Sequence, residues 1–349
     1  MHLKLEKHTL SFIKPAKTSR GEYLEKPSYL LWIVSDQFKF CGEAAPLSDL
    51  SVDGNVDYFD IIEPFKNQHF NHNGLTELLE LWEPFPALRF ALFCAIKKVK
   101  FFENNGHRHS MMNENLWVDN DFTKGIKPMK INGLVWMNSI EAMYEEAIQK
   151  INNGFTCIKF KVGALDFDAE CRLLEKIRQN HNPFKVEIRL DANGGFANDE
   201  ALSQLKELNR FNIHSIEQPI KANQPELMHE MCAKSPIDIA LDEELIGISV
   251  SESEKLLNTI KPKYIILKPT LLGGFDICDR WIQAADKLNI GWWSTSALEG
   301  NIGLSDIAQW VSNYLPSLPQ GLGTGSLFVQ NFEAQTHLKG ENIYFNTHK

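Results

Sequence analysis

The chain has 349 residues, of which 43% are hydrophobic and 23% are charged, values that are ordinary for a globular protein. At about 150 residues per domain, this length predicts two domains, or one large barrel with an appendage. The net charge of −9 argues against a nucleic-acid-binding protein, and no apolar run reaches the roughly 18 residues that a membrane-spanning helix needs.

Residues 1–105 have the pattern of an α+β domain, with strands first and helices after them. Two strands are predicted at 3–12 and 29–34, and a turn-rich loop at 18–22 separates them. Three helices are predicted at 58–65, 75–81 and 85–99. The segment 101–121, rich in Asn, His and charged residues, is predicted to be a linker or an exposed loop.

From residue 131 onward, strands and helices alternate regularly. The predicted strands span 131–137, 157–162, 186–191, 215–217, 237–242, 264–268 and 291–296. A helix is predicted after each strand, at 139–152, 166–179, 199–209, 225–233, 251–257, 275–288 and 302–311.

This alternation predicts a parallel α/β sheet. An open doubly wound sheet is one solution, but no glycine-rich phosphate loop follows the first strand. The number of strand–helix units suits a closed (β/α) barrel, which a short element at 321–327 could complete. We therefore expect a barrel domain at 106–327 and an N-terminal domain at 1–105 that is completed by the tail, about 328–349.

The predicted strand at 157–162 carries two lysines, Lys159 and Lys161. Because strand side chains alternate, both point to one face, while Ile158 and Phe160 point to the other. Two ammonium groups on one face are costly to bury unless negative groups lie opposite them.

Polar residues end the later strands at a nearly constant spacing. Asp191, Glu217, Asp242, Lys268 and Ser294 follow one another in steps of 26, 25, 26 and 26 residues. One step is one strand–helix unit, so in a barrel these side chains all point into the bowl at the C-terminal face, where barrel active sites lie.

The three carboxylates predict a metal site. A single acid at a strand end is more often a surface loop residue, but three that converge would repel one another unless a cation lies between them. Their hard oxygen ligands favour Mg²⁺, with Mn²⁺ as a further choice. Asn193 and Glu243 are candidates to support or compete with the ligands. Arg189 shares the inward face of Asp191, either to support it or as an ion-pair strut inside the barrel.

The lysines predict acid–base chemistry. Lys159 and Lys161 lie on one side of the metal strands and Lys268 on the other. A lysine beside a dication and a second lysine should have a lowered pKa and act as a base near neutral pH. This favours abstraction of a proton from a carbon next to a carboxylate, with the metal stabilising the enediolate. The residues expected to bind the substrate carboxylate are Ser294, Ser296, Gly323 and Thr324.

These residues resemble the enolase superfamily, in its muconate-lactonising-enzyme subgroup. The motifs that carry the resemblance are Lys159-x-Lys161, Asp191-Ala192-Asn193, Glu217-Gln218-Pro219, Asp242-Glu243 and Lys268-Pro269. The stretch 42–47 is similar to a motif of that family's capping domain. The resemblance implies a (β/α) barrel of the modified enolase type with an N-terminal α+β capping domain, and a lysine base with a metal-stabilised enediolate.

Within the subgroup, the chain most resembles the o-succinylbenzoate synthases of menaquinone biosynthesis, which are carbon–oxygen lyases. The short chain, the placement of Arg189, and the segments 294–303 and 323–326 carry this likeness. It implies a metal-dependent syn dehydration of 2-succinyl-6-hydroxy-2,4-cyclohexadiene-1-carboxylate. Lys161 would take the proton and then protonate the departing hydroxyl, Lys268 would stay cationic, and Lys159 would lower the pKa of Lys161. The loop at 18–22, with Arg20, would face the substrate.

Other functions stay open. A dipeptide or N-acylamino acid epimerase or racemase would use Lys161 and Lys268 as bases on opposite faces, and a muconate cycloisomerase shares the scaffold. A dipeptide epimerase is expected to show Asp-x-Asp near the last strand, where this chain has Gly323-Thr324-Gly325. A barrel that has lost catalysis and acts as a binding protein is disfavoured by the complete set of acids and lysines.

The expected surroundings are those of a cytoplasmic enzyme. Six cysteines lack any C-x-x-C pair, which is typical of reduced thiols, and charges stand at the N-terminus where a signal peptide would need an apolar core. We expect a small carboxylate substrate as the partner, with no nucleic acid and no membrane. The oligomeric state stays open between a monomer and a homo-oligomer.

Overall fold

A computed structural model describes residues 1–19, 21–105 and 115–347. Its N-terminal part is an antiparallel sheet covered by helices. The sheet has three strands in the order β1 (His2–Thr18), β2 (Gly21–Val34) and β3 (Lys39–Ala44). The helices are α1 (Tyr58–Ile62), α2 (His72–Leu81) and α3 (Pro86–Asn105). Leu31 and Ile33 of β2 are fully buried and belong to one apolar core with α3.

Three features of this part differ from the sequence-based expectation, and the first is that β3 was not predicted as a strand. Strands β1 and β2 are longer than predicted and pair up to Thr18 and Gly21, which both lie inside the predicted loop at 18–22. The predicted linker or exposed loop at 101–121 is wrong at its start, where 101–105 continue α3, and 106–114 lie outside the described residues. Residues 115–121 contain no helix or strand, as a linker should, but Trp117 among them is buried. The Trp117 backbone N–H donates to the side-chain oxygen of Gln309 (3.0 Å), a long-range contact with the later helix Asn301–Ser312.

The second part is a parallel sheet with a helix after each strand. Its seven strands are β5 (Gly133–Val135), β6 (Cys157–Lys161), β7 (Glu187–Asp191), β8 (Ser215–Glu217), β9 (Asp238–Leu241), β10 (Tyr264–Leu267) and β11 (Gly291–Ser294), adjacent in chain order. The helices are α4 (Ile140–Asn152), α5 (Phe167–Asn180), α6 (Ala201–Leu208), α7 (Pro225–Lys234), α8 (Val250–Ile260), α9 (Pro269–Leu272), α10 (Phe275–Lys287) and α11 (Asn301–Ser312).

Local sequence explains why these elements form. The Ser139 hydroxyl caps α4 by accepting from Ala142 N–H (3.3 Å), and the Asp166 carboxylate caps α5 in the same way. Ile158 and Phe160 of β6 are fully buried in the core between sheet and helices. The two lysines of β6 therefore point inward, as the alternation predicts.

A short segment at Gln320 and Gly321 closes the sheet into a barrel. On one side, Gly321 N–H donates to the Ser294 carbonyl of β11 (2.8 Å). On the other side, Asn132 N–H donates to the Gln320 carbonyl (2.9 Å), next to β4 (Met129–Lys130). Of the predicted strand at 131–137, only the part at β5 forms, β4 lies just before it, and the closing element lies where the predicted one begins.

The C-terminal tail contacts both parts of the molecule. Val329 N–H donates to the Ser11 carbonyl of β1 (2.8 Å). Further on, β12 (Thr336–Lys339) and β13 (Asn342–Phe345) form a hairpin that pairs with β4 beside the barrel. The domain bounds at 105 and 327 stay a prediction. None of the helices in the described ranges is long and apolar enough to cross a membrane.

Candidate active site

Three carboxylates converge at the C-terminal mouth of the barrel. Asp191 ends β7, Glu217 ends β8, and Asp242 directly follows β9. Asp191 and Glu217 are register partners, and one carboxylate oxygen of each of the three lies within 4.8 Å of the others. All three are almost fully buried. The spacing of 25 and 26 residues thus brings these side chains to one point, as predicted.

The two lysines of β6 contact this group directly. Lys159 Nζ lies 3.1 Å from Asp191 Oδ2 and 2.8 Å from Glu217 Oε2. Lys161 Nζ lies 2.6 Å from Asp191 Oδ2 and 2.8 Å from Asn193 Oδ1. The register explains the arrangement, because Lys161 pairs with Asp191 across β6 and β7. Positive charge on one strand therefore meets negative charge on the next.

The third lysine reaches the group from the opposite side. Lys268, directly after β10, forms a close ion pair with Asp242. Burial would lower the pKa of Lys268, but the Asp242 carboxylate and its acidic neighbours raise it. Lys268 is therefore held in its charged form.

The lysines of β6 differ in their electrostatics. Burial lowers the pKa of Lys161. The charges of Lys159 and Lys268 lower it further, whereas the Asp191 carboxylate opposes the shift. Burial would also lower the pKa of Lys159, but Glu217 and Asp191 together raise it. Lys161 is the lysine of the three whose environment favours the neutral form, which a general base requires.

The carboxylates fit a divalent cation. Burial raises the pKa of Glu217 to about 7, and the charges of Asp191 and Asp242 add to the effect. A cation among the three would relieve this repulsion, and three hard oxygen donors are ligands that Mg²⁺ and similar ions take.

Asn193 links Lys161 to the metal strands. It adopts a left-handed backbone (φ 45°), which asparagine tolerates. Its side chain accepts from Lys161 and donates to Glu243 (3.0 Å). Its backbone N–H donates to Asp191 Oδ1 (3.2 Å). The position is the one predicted for a residue that supports the ligands.

Arg189 lies deeper in the barrel and does not bond to the carboxylate group. It is fully buried, and its Nε donates to Glu187 (2.8 Å) while Nη1 donates to the Pro319 carbonyl (2.9 Å). Its guanidinium lies 4.3 Å from the centre of the Trp293 ring. These contacts are those of the ion-pair strut, the second of the two roles expected for it.

A pocket opens above the carboxylates and lysines. Its floor includes Lys159, Lys161, Asp191 and Lys268. Its walls are largely apolar and come from both parts of the molecule: Leu47, Leu50, Leu134, Trp136, Leu271 and Leu298. The site therefore combines a charged floor with walls suited to a hydrocarbon ring.

Three of the residues predicted to bind a carboxylate line this pocket: Ser296, Gly323 and Thr324. The Ser296 hydroxyl accepts from Leu298 N–H (2.8 Å) and from the Thr324 hydroxyl (2.7 Å). Ser294 is different, because it is buried below the pocket and its hydroxyl donates to the Leu267 carbonyl (2.9 Å). Its predicted contact with a substrate has no support in the structure. Arg20 lies outside the described residues.

The capping loops supply further site residues, and the first of them lies in the loop at 18–22 that was expected to face the substrate. The Ser19 hydroxyl at the β1–β2 turn donates to the Ala192 carbonyl (3.0 Å), beside the first carboxylate. Tyr23 lines the pocket and donates a short hydrogen bond to Asp49 in the next loop. The motif at 42–47 was a signal for Leu47, whereas no local pattern pairs Tyr23 with Asp49.

The comparisons with known proteins agree with this geometry. Residues 142–318 match the family described as "Enolase C-terminal domain-like". The o-succinylbenzoate synthase of Desulfotalea psychrophila is 40% identical, over 97% of this chain and 98% of that protein.

Two solved structures share the fold over nearly the whole chain. MenC from Desulfotalea psychrophila has a TM-score of 0.83 at 35% identity and covers 99% of both chains. The L-Ala-D/L-Glu epimerase of Bacillus subtilis also has a TM-score of 0.83, covering 99% of this chain and 96% of its own. At 18% identity, that likeness shows the fold alone. The resemblance stated from the motifs is confirmed, and the chain belongs to the enolase superfamily.

Proposed function

We propose that this protein is an o-succinylbenzoate synthase, a lyase that removes water from 2-succinyl-6-hydroxy-2,4-cyclohexadiene-1-carboxylate. The observation that carries the proposal is the 40% identity to a protein of that name over nearly the full length of both chains. The lysines and carboxylates of the barrel mouth supply the groups that such a dehydration needs. Its product would serve menaquinone biosynthesis.

The family implies a divalent metal ion, and we assign it to Asp191, Glu217 and Asp242. Mg²⁺ is our choice, with Mn²⁺ as the alternative, because all three donors are carboxylate oxygens. When bound, the ion would stabilise the negative charge that develops on the substrate carboxylate.

Lys161 is the proposed base. Its amine removes the proton from the carbon next to the substrate carboxylate. The ammonium so formed then gives a proton to the hydroxyl group, which leaves as water from the same face while the ring becomes aromatic. Asp191 and Asn193 hold Nζ in place for both transfers, and burial lowers the Lys161 pKa toward the neutral form that begins the cycle.

The other two lysines act as fixed charges. Lys268, paired with Asp242, stays cationic and stabilises the anionic intermediate from the opposite side. Lys159 lies between Asp191 and Glu217, so its charge holds these carboxylates together and disfavours a second charge on Lys161. Neither Lys159 nor Lys268 gains or loses a proton in this mechanism.

The rim of the pocket binds the substrate. The Ser296 hydroxyl accepts two hydrogen bonds from the protein, which leaves its own proton to donate to a substrate carboxylate. Gly323 and Thr324 lie beside it. Leu47 and Trp136 form apolar walls for the ring.

The six free cysteines support our assignment of the protein to the cytoplasm.

An epimerase or racemase is the second candidate, because Lys161 and Lys268 bond to carboxylates on different sides of the group. Two observations speak against it. The raised pKa of Lys268 disfavours a second base, and Gly323-Thr324-Gly325 stands where a dipeptide epimerase is expected to carry Asp-x-Asp.

The conversion itself is the test. The purified protein is incubated with the cyclohexadiene substrate and millimolar Mg²⁺, and the loss of diene absorbance is followed. Formation of o-succinylbenzoate supports the proposal, whereas no turnover with either Mg²⁺ or Mn²⁺ refutes it. Exchange of solvent deuterium into an N-acylamino acid, without dehydration of the diene, would instead support the racemase.

A further inference from the structure

A buried cluster of charges connects the capping domain to the rim of the pocket. Lys26 on β2 is 2% exposed, and Glu43 on β3 and Glu299 after β11 are fully buried. None of the three lines the pocket or contacts the metal carboxylates. Buried charges are costly unless they are paired and hydrogen-bonded, so their contacts identify what they hold in place.

Lys26 binds one particular peptide of the barrel. Its Nζ donates to the Leu298 carbonyl (2.9 Å) and to the Ala45 carbonyl (3.2 Å). Burial lowers the pKa of Lys26 to about 8, and the Glu43 and Glu299 carboxylates oppose this shift. A buried ammonium with two carbonyl acceptors from two domains is a fixed connection between them.

Leu298 has a backbone conformation that leucine rarely adopts. Its φ is 64°, in the left-handed region, which non-glycine residues occupy only where their surroundings hold them. Its two peptide groups are held by Lys26 at the carbonyl and by Ser296 at the N–H. Its side chain is 7% exposed, lines the pocket, and belongs to an apolar cluster with Leu47 of the capping domain.

The two buried glutamates hold the peptides on either side of Leu298. Glu299 accepts from Ala297 N–H (2.8 Å) and from the Thr270 hydroxyl (2.5 Å), two residues after Lys268. Glu43 accepts from Gly300 N–H (2.6 Å) and Gly303 N–H (2.8 Å), which begin α11.

The fit at Glu43 is tight. A Cβ atom on Gly300 would lie 2.8 Å from Phe332 Cδ2 and 2.9 Å from both Asn331 Oδ1 and Glu43 Oε1. Glycine at this position leaves room for the Glu43 carboxylate, which binds the start of α11 through Gly300 N–H and Gly303 N–H.

We propose that Lys26 is a positioning residue for substrate binding, which holds Leu298 in its left-handed conformation so that the leucine side chain packs against the substrate ring. The capping domain thereby sets substrate affinity through a buried ammonium that never touches the substrate. This inference rests on the proposed function, since the ring is that of the proposed diene.

The test is a double-mutant cycle on KM. Lys26→Met keeps the length of the side chain but loses both hydrogen bonds. It should raise KM by about tenfold, the effect of losing a charge-assisted hydrogen bond, with kcat changed by less than about twofold. Leu298→Gly removes the side chain that contacts the substrate ring. Glycine also adopts the left-handed conformation without help from Lys26. The double variant should therefore have the KM of Leu298→Gly alone.

Lys98→Met is the matched control. Lys98 is also a fully buried lysine of the capping domain, bound to the Cys41 carbonyl (2.8 Å) and to Asp306 of the barrel (2.8 Å), but it does not line the pocket. It should lower stability and leave KM unchanged. If Lys26→Met does not fold, Lys26→Gln, which keeps one short donor, takes its place and should give a smaller rise in KM.

The outcomes separate this inference from the proposed function. If the wild-type protein dehydrates the diene, the proposed activity is established. If it does not, the proposed function is refuted. With that activity present, three results would each overturn the role of Lys26: an unchanged KM in Lys26→Met, KM effects of Lys26→Met and Leu298→Gly that multiply, or an equal rise in KM in Lys98→Met.

Discussion

The ion pair between Lys98 and Asp306 allows a quantitative prediction about how the two domains hold together. Lys98 lies on α3 and Asp306 on α11, both fully buried, with Nζ and Oδ2 2.8 Å apart. The Cys41 carbonyl is a second acceptor for Nζ (2.8 Å), and Trp117 Nε1 donates to the other Asp306 oxygen (3.1 Å). Lys98→Met removes the charge and leaves Asp306 buried with its indole donor but without its cation.

Breaking a buried pair in this way costs about 3–5 kcal/mol of the free energy of unfolding. Because domains are commonly stable by about 5–15 kcal/mol, the variant should stay folded at 25 °C. Burial already raises the pKa of Asp306 against the opposing charge of Lys98. Without the Lys98 charge, the pKa of Asp306 in the folded protein rises further above its value in the unfolded chain. At low pH the Asp306 carboxyl is then protonated, and a neutral carboxyl costs less to bury than a charged one. The loss of unfolding free energy should therefore be larger at about pH 7 than at about pH 4.5, just above the ordinary Asp pKa of about 3.9.

The assay is urea unfolding at the two pH values, followed by tryptophan fluorescence and circular dichroism. The companion variant Lys98→Met/Asp306→Leu removes both charges and should recover part of the loss, since an apolar pair replaces an ion pair at little cost. A loss below about 1 kcal/mol in Lys98→Met, or a loss independent of pH, would refute the assignment of this pair as a buried interdomain connection.

Three further predictions concern the site and its support. Asn193→Ala removes an acceptor from Lys161 and a donor to Glu243. It should lower kcat by about 10- to 100-fold, and unchanged steady-state kinetics would contradict its positioning role. Millimolar Mg²⁺ should raise the melting temperature of the wild type, because it binds only the folded site, whereas Glu217→Gln should lose this shift; equal shifts would argue against Glu217 as a ligand. Burial raises the pKa of Glu170 to about 7 despite the Gly163 N–H that it accepts (2.8 Å), so its contribution to stability should fall as the pH rises from about 4.5 to 7. Glu170→Gln should flatten that part of the stability profile, and a variant that follows the wild type would show that Glu170 does not cause it.

Much of the site could be predicted because it depends on two regular periods. Alternation along β6 puts Lys159 and Lys161 on one face, and the repeat of 25 or 26 residues puts the strand ends at one mouth. The alternation of side chains between faces does not hold beyond the end of a strand. Ser294 and Ser296 would share a face in a continuous strand, but β11 stops at Ser294, and only Ser296 reaches the pocket.

The remainder depends on contacts between distant segments that leave no local pattern. Lys26 stands between Glu25 and Pro27, where the sequence suggests a surface lysine, yet its ammonium is buried against Leu298. Gln320 and Gly321 close the barrel through isolated bridges instead of a strand. Trp117 is buried, its neighbours Leu116 and Val118 are partly buried, and its backbone N–H donates to Gln309, which lies 192 residues further along the chain.

The most direct test of the central claim is the turnover of Lys161→Ala with the cyclohexadiene substrate, measured together with the binding of Mg²⁺ by calorimetry. If Lys161 is the group that takes and returns the proton, the variant fails to form o-succinylbenzoate while Mg²⁺ binding and the melting temperature stay close to those of the wild type. Turnover near the wild-type rate in a variant that still binds Mg²⁺ would contradict the assignment of Lys161 as the base.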